Sequence, residues 1–227
     1  MKTVPEQADL LVYERRAWEQ GRHLVAGMDE AGRGPWAGPV VAAAVFIDPG
    51  FLLREAHGFL GQVTDSKRLS ALRRAELFDR LTRCPQVSFA FGSATAEEID
   101  SMNILRATHQ AMRRALAGLY PDPDLVLIDG LPVPGLPVSS QAIVRGDAAS
   151  LLIAAASILA KETRDRHMRS LDKRYPGYGL ARHKGYGTRE HRAALLARGA
   201  CPCHRQSFKP VRDVMTRRSG PGSEVSS

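Results

Sequence analysis

The feature that most constrains this chain is an apolar run that ends in two acids and a set of glycines. Leu24-Val25-Ala26-Gly27-Met28 is followed directly by Asp29-Glu30-Ala31-Gly32-Arg33-Gly34-Pro35-Trp36-Ala37-Gly38-Pro39. An apolar run of that length, closed by polar residues and glycine, reads as a buried strand at about 23–29. Pro39 to Ile47 reads as a second strand, rich in β-branched residues. The link through 30–38 is short, which predicts an antiparallel hairpin. Neighbouring residues on a strand face opposite sides of the sheet, so Asp29 and Glu30 can serve one site only near the strand end. Gly32, Gly34 and Gly38 let the backbone turn tightly and come close to a ligand. Arg33, between two of them, offers a fixed fork of donors to a phosphate. Two carboxylates, a cation and bare amides at a strand end suit a metal ion and a phosphate. Taken alone, an acid pair is more often solvated surface. The phosphate-binding loop pattern fails for want of a Gly-Lys-Ser/Thr ending, and no Gly-x-Gly-x-x-Gly leads into a helix.

Further along, residues 8–20 read as a helix ended by Gly21. Asp65-Ser66-Lys67 lies in a loop, and Ser70 is a good cap for a helix at about 71–82. Gln86 to Ala94 alternates as a third strand, and Thr95 with Glu98 forms a capping box. A longer helix then carries Ile104, Leu105, Thr108, Met112, Ala115, Leu116 and Leu119 at helical spacing. Asp124 to Gly130 is a short buried strand ending in an acid and a glycine, and a strand C-terminus is where α/β folds place ligands. Val138 to Val144 is a weaker strand, followed by Arg145-Gly146-Asp147, with Asp147 as candidate cap of a helix at about 148–173. The first half of that helix is apolar and rich in small residues, as for a helix buried against a sheet. Thr188 caps a last helix at about 189–198, stopped by Gly199, and 213–227 reads as disordered.

Three strand ends or turns therefore carry acids beside glycine: Asp29-Glu30, Asp129 and Asp147. If the strands are neighbours, four carboxylates converge, and such groups repel at close range. Hard divalent cations with oxygen ligands neutralise such a set. In isolation Asp129 reads as a turn residue before glycine and Asp147 as a helix cap.

Charge points to the partner. Residues 161–218 hold 16 lysines and arginines against 5 acids, while 1–160 hold 16 against 18. A basic segment beside a near-neutral, acid-bearing body suits a polyanion, most simply nucleic acid. The competing reading is a solvated basic face. No apolar run reaches transmembrane length and Met1 to Glu6 lacks a signal-peptide hydrophobic region, so the expectation is a cytoplasmic protein with no membrane partner. Cys84, Cys201 and Cys203 are too few and too odd in number for a disulfide framework. Cys201-Pro202-Cys203-His204 lacks the second pair that a structural zinc site takes.

With these residues in place, the chain resembles the bacterial ribonuclease HII family, the type 2 ribonucleases H, over about residues 22–212. The motifs are Asp-Glu-Ala-Gly-Arg-Gly-Pro at 29–35, Asp-Ser-Lys at 65–67, Ile-Asp-Gly at 128–130 and Gly-Asp at 146–147. Ala-Ala-Ala-Ser-Ile-Leu-Ala-Lys at 154–161, Thr-Arg-Asp-Arg at 163–166, His-Lys-Gly-Tyr-Gly-Thr at 183–188, His204-Arg205 and Ser207-Phe208 complete the set. The resemblance implies an α/β, ribonuclease H-like fold, a mixed sheet flanked by helices with a C-terminal helical extension. It implies the type 2 domain over 22–213 with its catalytic core to about 173; the residues outside it read as a tail and helix over 1–21 and a disordered tail over 214–227. It implies an endonuclease that cuts RNA in RNA–DNA hybrids and incises 5′ to single ribonucleotides in duplex DNA, with a role in removing them. Magnesium or manganese is the implied cofactor, with Asp29, Glu30, Asp129 and Asp147 as catalytic acids and metal ligands. Two metals would activate water and stabilise the departing 3′ oxygen, leaving a 5′-phosphate and a 3′-hydroxyl. Gly32, Arg33 and Gly34 are implied to contact the ribose 2′-hydroxyl and Tyr186 to pack on that ribose. Lys67 and the basic C-terminal segment would contact phosphates of the nucleic-acid partner, with the protein acting as a monomer. Glu162 and Cys201-Pro202-Cys203 depart from the family pattern without touching the acids.

Two other readings compete. A nucleic-acid-binding module without catalysis explains the basic segment but not the acids. A related phosphoryl transferase, such as a DNA nuclease or recombinase, shares the acids but gives Gly32-Arg33-Gly34 and Tyr186 no role.

Overall fold

The predicted hairpin is present. In the computed structural model, which describes residues 10–219, β1 (Val25–Ala31) pairs antiparallel with β2 (Val40–Ile47), with Asp29 opposite Ala43. The expected loose tail over 1–7 and the last residues of the expected disordered tail, 220–227, lie outside the described residues. The sheet has five strands in the order β3-β2-β1-β4-β5, with β3 at Val87–Ala94, β4 at Leu125–Asp129 and β5 at Ser139–Ile143. β4 runs parallel to β1 and β5 parallel to β4, so the sheet is mixed. Parallel strands need crossover connections; helices lie between β1 and β4 in the chain, whereas β4 and β5 are joined by the helix-free segment 130–138.

The helices are α1 (Val12–Glu19), α2 (Pro49–Glu55), α3 (Ala71–Arg83), α4 (Ala96–Met102), α5 (Ile104–Ala117), α6 (Leu151–Arg174), α7 (Leu180–His183), α8 (Arg189–Arg198) and α9 (Lys209–Ser219). Ser70 caps α3 by accepting from Arg73 N, Thr95 and Glu98 form the predicted capping box on α4, and Thr188 caps α8.

Four local expectations are corrected. The long helix expected after Thr95 is broken at Asn103, whose φ of 72° no helix accommodates, so α4 and α5 are separate. Asp147 does not cap α6: it sits in a 3-10 turn, Gly146–Ala148, and Ser150 accepts from Ile153 N instead. α2, with Pro49 at its first turn and Asp48 accepting from Phe51 N, stands where no element was expected. α9 continues to Ser219 where 213–227 was expected to be disordered, because Val211 and Val214 bury against Leu195.

The described chain divides into two compact units. The first comprises residues up to 31, 41–93 and 108–163; the second comprises 32–40, 94–107 and 164 onward. In the first, the α6 residues Leu151–Ala160 are all buried and pack with the strands, α1 and α3 in one apolar core. Gly27 makes that packing possible, since a Cβ there would lie 2.2 Å from the backbone carbon of Leu152. In the second, Ala37, Met168, Tyr178, Leu180 and Cys203 form a small core, with Leu195, Val211 and Val214 as another. No helix among the described residues is long and apolar enough to cross a membrane.

Candidate active site

Because β1 and β4 run in the same direction with Met28 beside Ile128, Asp29 and Asp129 follow at the same end of adjacent strands. Asp147 is brought to them by the 3-10 turn after β5, where Gly146 N donates to Asp129 Oδ1 at 2.7 Å. Carboxylate oxygens of Asp29, Asp129 and Asp147 all lie within 4.8 Å of one another. Asp29 and Asp147 are buried and Asp129 is half-buried.

Glu30 is not in this trio. It is the next strand residue, half-buried, in a strand that continues to Ala31 rather than turning at 29. Its amide donates to Asp29 Oδ1 at 2.6 Å, and its charge reaches the same aspartate. Burial, then the charges of Glu30 and Asp129, hold the Asp29 carboxyl well above the usual range. Burial, then Asp129 and Asp65, raise Asp147 as well, against the pull of Lys67.

The supporting groups come from two sequence motifs. Ser157, in Ala-Ala-Ala-Ser-Ile-Leu-Ala-Lys, hydrogen-bonds the Asp29 carboxylate. Ser66, of Asp-Ser-Lys, lies 2.8 Å from Ser157 Oγ, with both hydroxyls buried. Asp65 Oδ1 accepts from Lys67 N at 2.8 Å, fixing the turn that presents the lysine. Lys67 Nζ stands 3.6 Å from Asp147 Oδ2. Burial would lower this lysine, but attraction to Asp147, Asp29, Asp65 and Asp129 holds it above its usual value. One exposed ammonium does not neutralise three clustered carboxylates. Their oxygens are hard donors, spaced closely enough to share a small divalent cation, so the chemistry of the set fits magnesium or manganese.

The second unit holds the glycine loop and Tyr186. Gly32 is buried with φ +102°, and a Cβ there would lie 2.0 Å from Arg164 Nε, so only glycine fits. Arg33 and Gly34 are exposed. Space beside Gly34 is bounded by the Tyr186 ring, 3.7 Å from where a Cβ would be, and Tyr186 is 46% exposed. The loop therefore presents backbone and an aromatic face together.

Two buried arginines hold the loop from behind. Arg164 donates from Nε to Pro39 O at 2.9 Å, from Nη2 to Ala37 O at 3.2 Å and from Nη1 to Lys184 O at 3.1 Å. Arg205 donates from Nε to Gly38 O at 3.0 Å, from Nη1 to Arg33 O at 2.8 Å and from Nη2 to Gly32 O at 2.5 Å. Burial, and then the charge of Arg164, pull Arg205 down to about 9, which leaves it charged at neutral pH. Both residues lie in motifs quoted above, yet their spacing gave no sign of this role. A buried guanidinium and a solvated one look alike in a basic segment. Ser66 and Ser157 went unassigned for a similar reason, since a small polar residue in an apolar helix signals burial but not its partner.

The structure matches ribonuclease H2 from Pyrococcus horikoshii with a TM-score of 0.70 and 29% identity, covering 86% of this chain and 99% of that one. It also matches the RNase HII of Archaeoglobus fulgidus solved in complex with PCNA, with a TM-score of 0.67 and 26% identity over 82% and 95% of the two chains. The fold is thus that of a ribonuclease H. The family model for ribonuclease HII matches residues 26–211. Ribonuclease HII of Paracidovorax citrulli is 56% identical over 194 residues, 86% of this chain and 78% of the relative. That of Rhodospirillum rubrum is 54% identical over 198 residues, 87% and 89% of the two chains. The chain belongs to the ribonuclease HII family, and it is a ribonuclease H hydrolase, an endoribonuclease of RNA–DNA hybrids.

Proposed function

We propose that this enzyme, besides cutting the RNA strand of hybrids, incises duplex DNA 5′ to single embedded ribonucleotides and so serves their removal. The products would be a 5′-phosphate and a 3′-hydroxyl. The observation that carries the reading is the trio Asp29, Asp129 and Asp147 at the ends of neighbouring strands, with oxygens within 4.8 Å of one another. Asp29, Asp129 and Asp147, with Glu30 beside them, would hold magnesium or manganese. Two such cations, when bound, supply the Lewis acidity that deprotonates an attacking water and stabilises the departing 3′ oxygen.

The protein's own groups do the rest. Ser157 and the Glu30 amide hydrogen-bond the charged form of Asp29 and so oppose part of the rise that burial imposes. Lys67 offsets part of the negative charge and is free to swing its exposed end toward a substrate phosphate. Gly32, Arg33 and Gly34 read the ribose 2′-hydroxyl, the group that separates RNA from DNA, and Tyr186 packs on that sugar. Support comes from the exposed Gly34 backbone beside the half-exposed Tyr186 ring. The basic segment 161–218 binds backbone phosphates, and the enzyme acts as a monomer.

The test is a labelled DNA duplex with one internal ribonucleotide, incubated with magnesium or manganese. A single nick 5′ to the ribonucleotide, absent from all-DNA duplex, supports the reading. Cleavage confined to long hybrid stretches refutes the roles given to Gly32–Gly34 and Tyr186 while leaving the acids in place.

A further inference from the structure

The reaction leaves one reactive cluster unused. Cys201, Pro202, Cys203 and His204 form a tight turn in which His204 N donates to Cys201 O at 2.9 Å. Proline at the second position pre-sets such a turn. The turn folds both thiols to one side, with Cys201 Sγ 3.2 Å from Cys203 Sγ and 3.1 Å from His204 Nδ1. Cys201 is half-buried and so reachable by a small oxidant, whereas Cys203 is only 7% exposed.

The histidine's tautomer follows from its neighbours. Burial pushes His191 down to about 4, so it is neutral. His191 Nδ1 faces the carbonyl of Tyr186 at 3.0 Å and must donate to it. His191 Nε2 is then an acceptor, and it meets His204 Nε2 at 3.1 Å, which must carry the proton. His204 Nδ1 is left as the acceptor, 3.0 Å from the Cys201 amide and facing the Cys201 thiol. Hydrogen bonding from the Cys203 thiol, with further help from His204, lowers Cys201 to about 5. A low, accessible thiolate next to a buried resolving thiol is the arrangement that reacts with peroxides.

A cation is a poorer fit. A structural zinc site takes four ligands. Among the described residues the cluster offers three.

We propose that Cys201 and Cys203 are a reversible dithiol–disulfide pair that hydrogen peroxide oxidises within the chain. The Cys201 thiol gives its proton to His204 Nδ1, and its sulfur attacks one peroxide oxygen. The O–O bond breaks, a sulfenic acid forms on Cys201, and the departing hydroxide takes the proton back as water. The Cys203 sulfur then attacks the sulfenic sulfur. The S–S bond forms, the S–O bond breaks, and hydroxide leaves with the Cys203 proton as a second water. The two sulfurs lose two electrons and one peroxide becomes two waters. A dithiol reductant reverses the change by exchange. The pair lies directly behind the glycine loop, since Cys203 O accepts from Gly38 N at 2.8 Å.

The test treats the full-length Cys84→Ser protein with hydrogen peroxide and follows it by intact mass and thiol titration. Both remaining thiols should disappear with a mass loss of about 2 Da, and dithiothreitol should restore both. In Cys203→Ser the reaction should stop at Cys201, which then takes up dimedone, while Cys201→Ser should show no sulfenic acid at Cys203. The proposal is overturned if both thiols still titrate after peroxide, if oxidation yields only disulfide-linked dimers, or if the purified protein carries one zinc whose removal is needed before either thiol reacts.

Discussion

Arg205→Lys isolates what the buried guanidinium does. The native side chain is fully buried and makes three hydrogen bonds, to the carbonyls of Gly32, Arg33 and Gly38. A lysine keeps the charge but reaches only one of these carbonyls well, because its donors radiate from a single nitrogen. Two charge-assisted hydrogen bonds are lost, at about 1.5–3 kcal/mol each, and two carbonyls are left without partners. Relaxation of the loop and water entry recover part of this, so the net loss should be about 3 kcal/mol. The loss falls on Gly32–Gly34, the segment proposed to position the ribose, and a displacement of about 1 Å at such an element can cost about a hundredfold in rate. The assay is steady-state nicking of a duplex with one ribonucleotide, beside thermal unfolding and manganese binding. The expected outcome is a fall in kcat/KM of about 30- to 100-fold, a lower Tm and unchanged manganese affinity, because Asp29, Asp129 and Asp147 belong to the other unit. Nicking within about twofold of wild type would refute the bracing role.

Two further outcomes follow from the buried acids. Ser157→Ala removes a hydrogen bond that favours ionised Asp29, whose carboxyl burial has already raised, so the acidic limb of the pH–rate profile should move to higher pH. The loss at pH 7 should be about tenfold and should shrink as pH rises; an unshifted limb would contradict it. Glu14, fully buried, accepts from Ser150 Oγ and Leu152 N at the start of α6, and burial raises its folded pKa above 4.5. Its ionisation therefore costs stability as pH rises through that raised value. Glu14→Gln removes this cost, so its Tm should exceed that of wild type at pH 8 and the difference should vanish below the unfolded value. A Tm difference independent of pH would overturn the argument.

Much of the site was readable before the fold. An apolar run that stops at an acid and a glycine marks a strand end, and that pattern led to both Asp29 and Asp129. Ser70, Thr95 with Glu98, and Thr188 declared their helices because capping is local chemistry. Asp147 was found for a mixed reason: its place after a strand was right, but the capping role offered for it belongs to Ser150. What local pattern cannot carry is tertiary. Asn103 breaks a helix whose apolar spacing runs on past it, and α9 persists to Ser219 because Val211 and Val214 find Leu195. The separation of Asp29 into the trio and Glu30 to its flank depends on strand alternation continuing to Ala31, which a glycine-rich stretch does not announce.

The most direct test of the account is manganese binding followed by electron paramagnetic resonance, together with nicking activity, in wild type and Asp129→Asn. Asparagine keeps the acceptor for Gly146 N while removing one of the three charges. Manganese should bind saturably to wild type and at least about tenfold more weakly to the variant, with nicking reduced by about a thousandfold or more. A variant that binds manganese as wild type does, or that nicks at a comparable rate, would contradict the assignment of Asp29, Asp129 and Asp147 as the metal-holding centre.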